Sequence, residues 1–152
     1  MDTIKKILKA IINLFPRHKT PAEFYDLCVS SLGTHVGNNN NCSTLIIDHI
    51  YNKLTGKNIG GELSTFEMYW FLNSRKRYFK EVVIPEPGDI IISPTGYSMN
   101  ENDIGNVGVV AYGDQIFSNN NDTGKFDNHI GFQEWFDKYK KQGFPVKFFR
   151  LK

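Results

Sequence analysis

Hydrophobic residues recur at helical spacing in the first half of the chain and at strand spacing in the second. In residues 1–19, Ile4, Ile7, Leu8, Ile11, Ile12 and Phe15 share one face of a helical projection. Lys5, Lys6 and Lys9 fall largely opposite, so the spacing predicts a short, basic amphipathic helix stopped by Pro16. Thr20-Pro21-Ala22-Glu23 reads as a capping box with proline at the first helical position. The helix it opens carries Phe24, Leu27, Cys28, Ser31 and Leu32 on one face and ends at Gly33. A loop rich in Gly and Asn, 33–41, leads into a helix over about 42–54, with Leu45, Ile46, Ile50 and Leu54 at helical spacing. After Gly60-Gly61, a second capping box, Ser64-Thr65-Phe66-Glu67, opens an aromatic helix that reaches about Asn73.

The pattern then changes. Segments 78–84, 89–93, 107–112 and 115–118 are rich in β-formers and separated by Pro85, Pro87-Gly88 and Gly113-Asp114. A late helix over about 132–141 precedes a last strand, 146–150. Helices first and a mostly antiparallel sheet second predict one α+β domain over 20–152, its N-terminal helices packed on the sheet. If Gly113-Asp114 makes a two-residue hairpin turn, Val110 pairs with Phe117, Gly108 with Asn119 and Asn106 with Asn121. Asn106, Gly108, Asn119 and Asn121 then share one face, a polar patch whose amides need partners, which points to a wet cleft. Gly108, without a side chain, leaves room for a close neighbour.

Composition narrows this picture only in places. With 152 residues, 40% hydrophobic and 22% charged, the chain can build a core without staples, which excludes a disordered tail and a disulfide-dense miniprotein. Eighteen Lys and Arg against 16 Asp and Glu leave +2, too little to indicate nucleic acid. The apolar stretch from Ile7 to Phe15 is interrupted by Lys9 and Asn13 and falls far short of the roughly 20 residues of a membrane span. The same interruption, with no small-residue cleavage site after it, argues against a signal peptide. The 1–19 helix therefore docks on its own domain or a partner, or lies on a membrane surface. Asn clusters at 38–41 and 119–121 mark loops and turns.

Two cysteines leave the redox compartment open. Cys28 falls in an apolar stripe and reads as a small buried hydrophobe. Cys42 follows a polar loop and begins a helix, where backbone N–H groups and the helix dipole stabilise a thiolate and could receive an oxyanion. By position alone it could equally be a small capping residue. The His and Cys residues show no metal-ligand spacing, so neither metal nor cofactor is implied.

The order of these features carries a resemblance. A thiol-bearing helix, then Pro87-Gly88-Asp89 and a hydrophobic strand, then Gly105-Asn106-Val107-Gly108-Val109, resembles the papain-like cell-wall hydrolases of the CHAP and NlpC type. The runs Leu32-Gly33-Thr34, Asn41-Cys42, Ile90-Ile91-Ile92-Ser93-Pro94-Thr95-Gly96, Ile116-Phe117-Ser118-Asn119-Asn120 and Gly143-Phe144-Pro145-Val146 are similar to small phage-encoded peptidoglycan amidohydrolases, over about residues 22–151. The resemblance implies a papain-like fold, and a phage-associated hydrolase of endolysin type made in the bacterial cytoplasm or carried in the virion. It implies bacterial peptidoglycan as substrate, Cys42 as nucleophile, a base at position 106 and Asn119 as the residue that orients it.

Relatives of that kind carry His where this chain has Asn106. Asparagine cannot accept and return a proton near neutral pH, so nothing activates the thiol or protonates the departing amine. Three explanations stand: His35 or His129 substitutes as base; the chain is a degenerate homologue that binds or assembles, for example with a phage structural partner; or Asn106 is an introduced inactivating change. His49, seven residues along the helix from Cys42, is about 10 Å away and too far. His18 falls in the linker after the first helix.

Overall fold

Side-chain caps set two of the helix starts. Thr20 Oγ1 accepts from the Glu23 amide at 3.1 Å ahead of α2 (Pro21–Ser31). Ser64 Oγ accepts from the Glu67 amide at 3.4 Å ahead of α4 (Thr65–Ser74). Between them, α3 (Cys42–Thr55) stops where Gly56 turns left-handed at φ +73° and donates to the Asn52 carbonyl. α1 spans Asp2–Leu14, and α5 spans Phe132–Lys141 with three lysines in its last turn. The computed structural model describes residues 2–14, 20–60 and 64–152, with backbone alone for residues 9 and 11–14. The expected helix-face positions of Lys9, Ile11, Ile12 and Phe15, the stop at Pro16 and the linker His18 therefore lie outside the described side chains.

Among the described residues, six strands form one antiparallel sheet: β1 (Phe79–Val82), β2 (Ile90–Ser93), β3 (Asn106–Ala111), β4 (Gln115–Asn120), β5 (Lys125–Gly131) and β6 (Lys147–Leu151). Their spatial order is β1-β6-β2-β3-β4-β5. The sequence pattern does not announce β5, because polar Lys125, Asp127, Asn128 and His129 interrupt its apolar alternation. Helices cover both faces. Phe24, Ile47, Ile50 and Met68 of α2–α4 pack with Ile92 and Val109 on one side. On the other side, Trp135 and Tyr139 of α5 pack with Ile91, Val110, Ile116 and Phe148. Burial on both faces explains the unbroken isoleucine run of β2.

The β3–β4 hairpin departs from the expected register by one residue. Val109 pairs with Phe117, Val110 with Ile116 and Ala111 with Gln115. The turn therefore holds three residues, 112–114, with both Gly113 (φ +73°) and Asp114 (φ +56°) left-handed. A one-residue slip exchanges the faces of a strand. Asn119 accordingly lies with Val109 and Phe117 toward α2–α4, while Asn106 and Gly108 lie with Val110 toward α5. The four polar positions 106, 108, 119 and 121 do not form a single-faced patch. The close neighbour Gly108 makes room for is β4 itself, since a Cβ there would sit 2.7 Å from Ile116 Cγ2 and from the Phe117 carbonyl oxygen.

Candidate functional site

The loop before α3 is tied to the far edge of the sheet. Val36 and Gly37 both donate to the Gly124 carbonyl, at 2.7 and 3.0 Å, and Phe126 donates to the Thr34 carbonyl at 2.9 Å. This brings Gly37 onto the first turn of α3, where the Asn39 carbonyl accepts from the Cys42 amide at 3.1 Å. Gly37 (φ +135°) lies so close that a Cβ on it would stand 3.1 Å from Cys42 Sγ. Cys42 is only 2% exposed.

Asn119 meets the same loop from β4. Its Nδ2 donates to the Gly37 carbonyl at 2.9 Å and to Asn121 Oδ1 at 2.8 Å. Because a carbonyl can only accept, this contact fixes which end of the amide faces Gly37. Asn119 Oδ1 is thereby left buried without a partner among the described residues. Cys42 and Asn119 are thus brought together on either side of Gly37.

Asn106 arrives from the other face. Its Oδ1 accepts from the following Val107 amide at 2.9 Å. Beside it stands Tyr139, whose hydroxyl burial pushes up to about 12, with the Asn106 amide pulling the other way. Asn106 and Asn119 nevertheless line one polar cavity of about 480 Å³ over the ends of β3 and β4, together with Asn40, Asn121, His129 and Tyr139. A polar cavity does stand at these asparagines, but its walls come from both faces rather than from the single face expected. The sequence reading missed Tyr139, Glu134 and Lys138 as lining residues. Their signal was the helical spacing of Trp135, Lys138 and Tyr139, which reads equally as core.

The histidines divide between two places. His129 lines the polar cavity from β5, exposed, with Nδ1 3.5 Å from the Asp127 carbonyl. His35 bridges to Lys125 and lines a separate groove of about 590 Å³ outside α3, shared with His49, Asp48 and Asn58. Among the described residues, no histidine is hydrogen-bonded to Cys42. Cys28 is fully buried, which pushes its thiol far above the ordinary range, as its place in an apolar stripe implied. Among the described residues, no group of three His, Cys, Asp or Glu side chains could hold a metal ion. No family model matches the chain, and no curated protein matches it.

Proposed function

We propose that the chain is a papain-like domain of the cell-wall hydrolase kind, directed at bacterial peptidoglycan, with its thiol chemistry silenced at position 106. In such a site a thiolate at Cys42 attacks the carbonyl of a wall-peptide or sugar–peptide amide. The carbon–nitrogen bond breaks, the amine leaves with a proton from an imidazole at position 106, and Asn119 orients that ring.

One observation carries this reading: the Oδ1 of Asn119, buried without a partner among the described residues, beside the loop whose Gly37 packs too close to Cys42 Sγ to leave room for a side chain. It is the kind of acceptor an orienting residue keeps for an imidazole N–H, and Asn106, on the other face with its amide at Tyr139, does not fill it. The asparagine-lined cavity can still bind, because amide side chains donate and accept and so complement peptide groups and sugar hydroxyls. A binding or virion-structural role is the second reading, favoured by the same missing base.

The test is release of amino groups from purified cell walls, run beside co-sedimentation with them. The unmodified chain is expected to sediment with walls and hydrolyse them weakly or not at all. Asn106→His should raise the rate by a factor on the order of 10³, and Cys42→Ser in that background should remove the gain. The imidazole must reach round the end of β3 to do this, so its failure would leave only the binding reading. Efficient hydrolysis by the unmodified chain, abolished by Cys42→Ala, would overturn the silenced site and make His129 or His35 the base.

A further inference from the structure

We infer that α1 docks on an anionic lipid surface, lying in its plane with the apolar face down. Ile4, Ile7 and Leu8 follow the i, i+3, i+4 spacing of one helix face, and they are 63%, 53% and 53% exposed. Lys5 and Lys6 are exposed beside them. The sequence continues the apolar spacing at Ile11 and Phe15. An isolated helix of this length is marginal in water, so such a stripe gains stability from whatever covers it. Among the described residues no helix is long and apolar enough to cross a membrane, which leaves the interfacial orientation.

Charge selects the occupant. Residues 1–19 hold five basic side chains, Lys5, Lys6, Lys9, Arg17 and Lys19, against Asp2 alone. Residues 20–152 hold thirteen basic against fifteen acidic, so the modest net charge of the whole chain combines a basic N-terminal stretch with a weakly acidic remainder. A negative headgroup layer attracts the first and repels the second, which brings α1 to the surface and keeps the domain off it. A second copy is a poor cover, since apposed stripes would bring two basic segments together. Nucleic acid would meet the lysines but leave the Ile and Leu stripe in water.

This inference stands apart from the wall-hydrolase reading and has its own test: flotation of the full chain with vesicles of pure phosphatidylcholine and of equal parts phosphatidylcholine and phosphatidylglycerol. Binding to the anionic vesicles should exceed binding to the neutral ones by about tenfold or more and weaken with salt. Replacing Lys5, Lys6 and Lys9 together by Glu should lower it by at least about tenfold, and so should Ile7→Asn with Leu8→Asn, which keeps the charge. The domain's thermal transition serves as the folding control for both variants. Equal binding to the two vesicles, binding that survives the lysine changes, or no binding to either overturns the inference. Self-association lost on Ile7→Asn with Leu8→Asn, without vesicle binding, would assign the stripe to a second copy and overturn it as well.

Discussion

The sheet has a buried polar centre at one end, just before β2, and another at the opposite end, on β4, and the two are built on opposite terms. At one end Asp89 is fully buried, and both its oxygens are occupied. Arg150 donates through Nε at 2.9 Å and Nη2 at 2.8 Å, and the Glu86 amide adds a third bond at 2.7 Å. Gly88 (φ +94°) lets this turn press on α2, where a Cβ would come within 2.6 Å of the Pro21 carbonyl oxygen. At the other end, Asn119 Oδ1 is buried without a partner among the described residues, and a polar cavity opens beside it. A closed centre holds the sheet together. An open one pays desolvation without return, which a protein keeps where a ligand or catalytic group completes it. The Pro87-Gly88-Asp89 motif, part of the resemblance to wall hydrolases, is therefore scaffold in this chain.

The sharpest way to break that comparison is to remove one partner at each end. Arg150→Ala leaves the Asp89 carboxylate buried and unpaired, and should lower the unfolding free energy by about 3–5 kcal/mol in urea titrations. Asn119→Ala removes two hydrogen bonds but also an orphaned oxygen, so a loss of only about 1–2 kcal/mol is expected. If the two losses are equal, the distinction between a structural end and a functional end fails.

Local signals were legible in the sequence, and relations between elements were not. The capping boxes at Thr20 and Ser64 place α2 and α4 correctly because a cap and its partner lie within three residues. The same locality puts Cys42 at the head of α3 and Cys28 in the core. The face of Asn119 depends instead on one turn residue. Gly113-Asp114 suits a two-residue turn, yet Tyr112 joins it to make three, and every side chain of β4 changes sides relative to β3. Tyr139 as a wall of the cavity was hidden for a similar reason, since an aromatic on an amphipathic helix reads as core until the register beneath it is known.

Tyr139 also measures how dry the open end is. Its hydroxyl is pushed up to about 12 by burial, against an ordinary value near 10. Below pH about 10 both folded and unfolded chains hold this proton; between about 10 and 12 the unfolded chain has released it and the folded chain has not. Stability should therefore fall across that window by about 1.4 kcal/mol per pH unit from this group. Tyr51 and Tyr69 are shifted the same way, so the slope of Tyr139→Phe must be compared with that of the unmodified chain. Equal slopes would mean that water reaches the hydroxyl and that the cavity extends under α5.

The smallest effect should come from Ser118, and its sign matters more than its size. Ser118 is fully buried on the α5 face, its Cβ 3.3 Å from where a Cβ on Gly108 would be, and its Oγ bonds nothing among the described residues. Ser118→Ala removes an unsatisfied hydroxyl and leaves no group orphaned, so stability should rise by up to about 1 kcal/mol. The neighbouring Asn119→Ala, one residue away on the opposite face, should move the other way, because Asn119 also holds the Gly37 carbonyl beside Cys42. A loss of stability on Ser118→Ala would show that the hydroxyl has a partner in solution. The open centre would then reach through the sheet to the α5 face, joining the Asn119 and Asn106 sides into one polar channel rather than two walls that meet only at the strand ends.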